Sequence, residues 1–208
     1  MLHILNAEQV FSILGRLTGQ VNTFDNVFED TNSTTKFSLF SGSAKINEDS
    51  ISGVVASVTN GPIKILGKGI VITTPGYTAT EEKMCKFDPT IPGQLSYIDG
   101  CSNTNLIDPP RNGDPCINYL YFPENIKQTY HTHPSIRIGI VLTGNGIASV
   151  NKDEIELRAG SMFVLDRHTL HRFYTVDSSM SLMVFHPDSE DGPTDQFNPM
   201  KSRTYLSE

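Results

Sequence analysis

Residues 126–175 read IKQTYHTHPSIRIGIVLTGNGIASVNKDEIELRAGSMFVLDRHTLHRFYT, and this stretch decides the fold. Five of the six histidines of the chain lie between His131 and His186. Side chains of a β-strand alternate between its two faces, so His131 and His133 project to the same side of a strand-like run. His171 follows a turn and begins a later predicted strand. Because imidazole nitrogens bind Fe, Zn, Ni and Mn, the three histidines predict a transition-metal site.

The spacing around the first two histidines resembles the first motif of the cupin superfamily, G-x5-H-x-H-x3-E-x6-G. In this chain the motif reads N-IKQTY-H-T-H-PSI-R-IGIVLT-G. His131, His133 and Gly144 are in register with it. Asn125 replaces the first glycine, and Arg137 stands where the family has a metal-binding glutamate.

The third histidine lies in a segment similar to the second cupin motif, G-x5-P-x-G-x2-H-x3-N. Here it reads G-SMFVL-D-R-H-TL-H-RFY-T, with Gly160 and His171 in register. Asp166, His168 and Thr175 replace the proline, glycine and asparagine of the family. The short stretch from Gly144 to Gly160 matches the inter-motif loop of compact cupins.

The resemblance implies an all-β fold, a cupin-type double-stranded β-helix (jelly roll), with a metal held by His131, His133 and His171. Replacement of the glutamate by Arg137 makes the chain similar to the three-histidine branch of cupins, which includes thiol and diketone dioxygenases. Fe(II) is then the first choice of metal, and Zn, Mn or Ni are alternatives. The tail at residues 191–195, DGPTD, is faintly similar to cupin-domain proteins of tailed phages.

Composition narrows the class of protein further. A chain of 208 residues buries enough surface for one substantial core. The net charge of −7 and the absence of a basic run argue against a nucleic-acid-binding surface. The sequence contains no run of 18 apolar residues, so we predict no membrane span. Its first residues do not resemble a signal peptide. Three cysteines without C-x-x-C spacing favour reduced thiols and a cytoplasmic protein.

The first half of the chain predicts a scaffold without a histidine ligand. Apolar residues at helical spacing in residues 6–18 predict a short amphipathic helix, with Asn6 and Gln9 as a capping pair. Residues 21–80 alternate strand-like runs with turns. We therefore expect a helix plus β extension over residues 1–95, serving as scaffold or homodimer surface, and the cupin barrel over residues 96–208. A degenerate first barrel is an alternative for the first half.

Arg137 is the unusual residue of the predicted site, because strand parity points it inward beside the histidines. An inward arginine needs an anion to offset its desolvation. Three readings follow: it binds the carboxylate or phosphate of a substrate, it pairs with an internal carboxylate such as Asp166, or its charge has abolished metal binding. His168 in the turn and Tyr121 on the preceding strand are candidates for proton transfer or substrate contact.

Three functions remain open from the sequence. The first is a non-haem Fe(II) dioxygenase acting on a small anionic substrate held by Arg137. The second is a Zn, Mn or Ni cupin isomerase, lyase or hydrolase acting on a sugar or nucleotide. The third is a non-catalytic cupin that binds a small ligand or has a structural role. Metal identity separates the first two, and metal presence separates both from the third.

Overall fold

The computed structural model describes residues 1–13, 18–108, 111, 113–188 and 204, and nearly all regular structure in them is β-strand. No helix in those residues is long and apolar enough to span a membrane. The strands in chain order are β1 (Leu2–Leu5), β2 (Val10–Ile13), β3 (Gly19–Asp30), β4 (Thr35–Ile46), β5 (Asp49–Thr59), β6 (Ile63–Thr74), β7 (Lys83–Phe87), β8 (Leu95–Ser96), β9 (Ser102–Ile107), β10 (Cys116–Phe122), β11 (Arg137–Val150), β12 (Asp153–Arg158), β13 (Met162–Leu165), β14 (His171–Tyr174) and β15 (Met180–His186).

The first half of the chain forms a six-stranded antiparallel sheet in the order β2-β3-β6-β4-β5-β7. Glycines face one another at its centre, since Gly42 on β4 pairs with Gly53 on β5 and with Gly67 on β6. Gly42 has a φ of 151°, and a Cβ built on it would overlap the carbonyl oxygen of Leu66. The glycine row therefore permits a close backbone approach that any side chain would block.

The second half forms a barrel from two sheets that share β11. The larger sheet has the order β1-β13-β11-β15-β10-β9-β8, and β12 and β14 pair with the second half of β11. The strand passes from one sheet to the other at Gly144, where φ is 69° and a Cβ would overlap the carbonyl oxygen of Ser179. This requirement explains why a glycine occupies that motif position.

Two hydrophobic clusters lie on the two faces of the larger sheet. The barrel interior is filled by residues such as Phe122, Phe163, Phe173 and Leu182. The outer face packs on the six-stranded sheet. Phe37 of β4 contacts Phe185 of β15 there, with ring centroids 5.2 Å apart. The first half of the chain therefore supports the wall whose other face carries the predicted site.

The predicted N-terminal helix is wrong where the structure describes it. Val10–Ile13 is a strand paired with β3, and the backbone at Glu8 has a φ of 60°, which a right-handed helix cannot include. The expected capping pair does form a hydrogen bond, from the Asn6 amide to Gln9 Oε1 at 2.9 Å, but within a turn. Residues 14–17 of the predicted helix lie outside the described residues, as does most of the tail after residue 188.

The domain boundary at residue 95 stays a prediction. In the structure, β1 is hydrogen-bonded to β13 and so joins the larger sheet of the second half. The described residues between 81 and 118 include β7, β8, β9, the start of β10 and a 3-10 turn at Ile98–Gly100. All three cysteines, Cys85, Cys101 and Cys116, are free thiols.

We expect Gly42→Ala to lower the free energy of unfolding by about 3 kcal/mol, because it adds both backbone strain and overlap with Leu66. Urea denaturation of the two proteins measures the difference. Gly76→Ala is the matched control: its φ is also positive, at 84°, but no atom lies within 4 Å of the added Cβ. We expect a loss of only about 1 kcal/mol there. Equal losses would contradict a steric role for the glycine row.

Candidate metal centre

The structure brings the three motif histidines together on one side of the barrel interior. Ring centroids lie 4.4 Å apart for His131 and His171, and 5.0 Å apart for each of the two pairs that include His133. One ligand nitrogen from each ring lies within 4.8 Å of the other two. This separation lets a single metal ion bind all three imidazoles.

Backbone hydrogen bonds hold the histidines in this arrangement. The His131 amide donates to the His171 carbonyl at 2.9 Å, and the His171 amide donates to the His131 carbonyl at 3.0 Å. The His168 amide donates to the His133 carbonyl at 2.7 Å. The HTH run is therefore tied directly to the start of β14, although it is not the continuous strand expected from the sequence.

The tautomers required for metal binding are set by two side-chain hydrogen bonds. His131 Nδ1 lies 2.8 Å from the Thr129 carbonyl oxygen, and His171 Nδ1 lies 2.9 Å from the Thr169 carbonyl oxygen. A carbonyl accepts only from a protonated nitrogen, so Nε2 of each ring carries the free lone pair. His171 is fully buried, and its Nε2 has no hydrogen-bond partner. A buried ring nitrogen without a partner fits a metal ligand.

The site keeps two of the imidazoles uncharged. Burial lowers the pKa of His133 to about 3, with a further contribution from the positive charge of Arg137 and from the neighbouring histidines. Burial also lowers the pKa of His171 to about 4, although its hydrogen bond to Thr169 opposes the shift. A metal binds the neutral ring, so neither histidine has to lose a proton at neutral pH.

Arg137 points into the same cavity, as strand parity predicts, and is 9% exposed. Its Nη1 donates to the Ser135 carbonyl oxygen at 3.1 Å, to Ser135 Oγ at 2.5 Å and to the Ile136 carbonyl oxygen at 3.1 Å. Its Nε is buried without a partner. Burial lowers its pKa, and the charge of Asp188 is the largest opposing influence.

The internal ion pair proposed between Arg137 and Asp166 is not present. The Asp166 carboxylate lies 3.3 Å from His3 Nε2 at the partly exposed end of β13. None of the ion pairs formed by residues 1–13, 18–108, 111, 113–188 and 204 includes Arg137. Asp166 instead joins the first strand to the barrel, because β1 runs beside β13.

The other two predicted catalytic residues do not line this cavity. His168 is exposed in a turn with a φ of 57°, and its backbone rather than its ring contacts the histidine cluster. Tyr121 packs in the cluster between the two sheets, on the opposite face of β10 from Asn118 and Leu120. Tyr121 therefore does not face the histidines, because the alternation along β10 places the even-numbered residues Asn118 and Leu120 inside.

Several residues of the cavity were not singled out from the sequence. The cavity encloses about 80 Å³ and is lined by Tyr97, Asn103, Asn118, Leu120, Gln128, His131, His133, Arg137, Phe163, Leu165, His171, Phe173, Leu182, Val184 and His186. Asn118 is a polar residue inside the apolar run INYLYF, which is a signal that could have been used. His186 also lines the cavity, close to Arg137 and His133, and burial drives its pKa well below the ordinary value.

We expect the protein to bind one equivalent of a divalent transition metal, and His171→Ala to weaken binding by more than about 100-fold. Calorimetric titration of metal-free protein with Zn(II) measures both affinities. His168→Ala is the matched control, since it removes a nearby histidine that does not face the cavity. Equal loss in both variants would contradict the assignment of the ligands.

We also expect the metal-free protein to lose stability as pH falls from about 7 to about 5. The unfolded chain protonates histidine below about pH 6.5, whereas the buried rings of His133 and His171 stay neutral to about pH 4 and below. Each ring therefore contributes up to about 1.4 kcal/mol per pH unit in this window. Urea unfolding at several pH values should show a shallower slope of stability against pH for His133→Gln than for the wild type, and an equal slope in the two proteins would contradict this assignment.

Comparison with known proteins agrees with this geometry. A family model for the cupin domain matches residues 120–186. No curated protein matches the sequence significantly. Solved structures do match, although their sequence identities are low enough to show the fold alone.

Three of these structures cover most of the chain. A putative glyoxylate-induced protein from Pseudomonas aeruginosa is 14% identical, with a TM-score of 0.64 over 89% of this chain and 82% of that chain. A cupin 2 conserved barrel domain protein from Leptotrichia buccalis is 14% identical, with a TM-score of 0.58 over 88% and 91%. A salicylate 1,2-dioxygenase variant from Pseudoaminobacter salicylatoxidans is 10% identical, with a TM-score of 0.59 over 86% and 75%. Residues 120–186, which carry the three histidines, thus match a cupin domain, and the fold of the chain is similar to that of cupin proteins.

Proposed function

We propose that the protein is a metal-dependent cupin enzyme, and specifically a non-haem Fe(II) dioxygenase acting on a small anionic substrate. The observation that carries the proposal is the convergence of three histidine nitrogens beside a buried arginine that forms no ion pair among the described residues and has an unpaired Nε, with Asp188 acting on it only at longer range. His131, His133 and His171 would hold the metal, and Arg137 would bind the anion.

The three ligands are neutral imidazoles, so they do not offset the charge of a divalent ion. A six-coordinate metal with three protein ligands also keeps positions for other molecules. A ferrous ion, when bound, would supply the one-electron chemistry that dioxygen needs in order to react with an organic substrate. The protein itself supplies an orienting cation at Arg137 and apolar walls that exclude water.

The charge balance of the site favours an anionic substrate. Arg137 adds a further positive charge to a cavity lined by neutral rings and apolar side chains. A buried guanidinium is stable only with an anion or strong acceptors close by, and its unpaired Nε shows that part of this requirement is unmet. A substrate carboxylate beside the metal would offset both cationic groups. The structural similarity to salicylate 1,2-dioxygenase supports such a reaction at the level of the fold.

A non-catalytic role is the second candidate, and one observation favours it. The positive charge of Arg137 contributes to the lowered pKa of His133, and the same electrostatic field opposes a metal cation at that ring. A protein of this kind would bind its anion at Arg137 without a metal.

We expect near-stoichiometric iron in protein produced without a metal-affinity tag, and its loss in His133→Ala. Elemental analysis measures the metal, and an oxygen electrode measures uptake with a panel of small carboxylates. Arg137→Gln should retain iron and raise the KM for the active carboxylate by about 30-fold or more, because a charge-assisted contact is lost. Arg172→Gln is the matched control, since that guanidinium packs on the Tyr130 ring, at 4.3 Å from its centroid.

Other outcomes would replace this assignment. Zinc, manganese or nickel retained in place of iron, without oxygen uptake, would support the isomerase, lyase or hydrolase chemistry instead. A wild-type protein without metal, together with an Arg137→Glu variant that binds one, would leave the non-catalytic anion-binding role.

A further inference from the structure

A row of polar side chains crosses the inner face of the larger sheet beside the histidine cluster. Asn118 lies on β10, His186 on the neighbouring β15, and Arg137 on β11 at the other side of β15. All three line the cavity. Two strand spacings, or roughly 10 Å, separate β10 from β11. Asn118 is also offset along the strands, because it pairs with Val184, two residues from His186. The cavity that both side chains line encloses about 80 Å³, so it admits only a small molecule.

Asn118 has one half of its amide in use and the other half unused. Its Nδ2 lies 3.2 Å from Nε2 of His186, which accepts this hydrogen bond in the neutral tautomer that carries its proton on Nδ1. Its Oδ1 is buried and has no hydrogen-bond partner. Val184, which pairs with Asn118, and Leu120 and Leu182 in the next pair line the same cavity and offer no side-chain donor. An amide oxygen in this position needs a donor from water or from a ligand.

Arg137 is oriented by the hydrogen bonds of its own strand. Nη1 makes all three of its hydrogen bonds to Ser135 and Ile136, which leaves Nε as the buried nitrogen without a partner. The edge of the guanidinium that carries Nε can take a carboxylate in a side-on, bidentate contact. The unused donor and the unused acceptor therefore lie in one cavity, on opposite sides of His186.

We propose that Arg137 and Asn118 form a two-point recognition site for a small hydroxycarboxylate, in which Arg137 binds the carboxylate and Asn118 Oδ1 accepts from the hydroxyl group. The proposal rests on the proposed function, since it names the substrate class of the same cavity. An ammonium group is disfavoured as the donor, because it would lie close to the positive charge of Arg137. His186 is a positioning residue, which holds the Asn118 amide so that its oxygen faces the ligand.

Four three-carbon acids separate the possibilities without any mutation. Lactate carries a hydroxyl donor, pyruvate an acceptor only, propionate neither, and alanine a charged ammonium. Calorimetry with Zn(II)-loaded wild type and with metal-free His133→Ala protein measures each dissociation constant, so that chelation by the metal is separated from recognition by the protein. We expect lactate to bind at least about tenfold more tightly than the other three acids in both proteins. Equal affinities, or a preference for pyruvate, would overturn the assignment of Asn118.

Variants then assign the preference to named atoms. Asn118→Ala should reduce the lactate-to-propionate ratio to about one while propionate affinity stays unchanged. Asn103→Ala is the matched control, since Asn103 lines the same cavity and its side chain has no buried atom without a partner. The control should keep the ratio. An unchanged ratio in Asn118→Ala would overturn the proposal.

The imidazole that orients the amide is tested separately. His186→Gln should keep propionate affinity and reduce the lactate preference, which separates positioning from anion binding. Retention of the full preference in this variant would overturn the positioning role. Failure of the proposed function has a different signature, because a protein that binds no metal can still be tested for the lactate preference, and a metal-binding protein can lack it.

Discussion

The reciprocal hydrogen bonds between the backbones of His131 and His171 are the contact on which the site depends. They join two segments separated by 40 residues of chain and bring two ring centroids within 4.4 Å. The third histidine, His133, is held in place in a similar way, because the His168 amide, in the turn before His171, donates a hydrogen bond to the His133 carbonyl. A turn with a left-handed residue at position 168 supplies that amide at the required place. The metal site is thus built by main-chain contacts, and the side chains need only adopt the correct tautomer.

Buried polar groups that lack partners would ordinarily reduce stability, and this barrel contains three of them around one cavity: His171 Nε2, Arg137 Nε and Asn118 Oδ1. Each such group costs about 1–3 kcal/mol when it stays unpaired. The rigid packing on both sides of the larger sheet offsets this, since Phe37 and Phe185 pack on the outer face while Phe163 and Phe173 fill the inner face. The first half of the chain therefore contributes to the site without supplying a residue to the histidine cluster.

Substitution of the usual glutamate by Arg137 changes the electrostatics of the cupin site. A carboxylate ligand would reduce the net charge of a bound metal, whereas Arg137 adds to it. The surrounding residues offset the imbalance only in part, because the charge of Asp188 acts on Arg137 without forming an ion pair, burial keeps His133 and His171 neutral, and Asp166 is engaged at the end of β13. A site with this positive charge favours a negatively charged ligand, and the side chains of the site are sufficient to explain that preference.

The spacing of residues along the sequence was sufficient to predict the cupin fold, the clustering of the three histidines and the inward direction of Arg137. Each of these features depends on a sequence motif or on strand alternation within a few residues. The predicted N-terminal helix is wrong because the apolar spacing of residues 6–18 is compatible with either a helix or a strand. Pairing of Val10–Ile13 with β3 decided for the strand. The side chain of Tyr121 lies on the outer face of β10, and this placement also depends on how the larger sheet packs on the six-stranded sheet. Asn118 and His186 meet although 68 residues separate them. The hydrogen bond between them, and the unpaired Asn118 Oδ1 beside it, result from the strand register of the folded sheet. That register depends on contacts between distant residues, which no local sequence pattern contains.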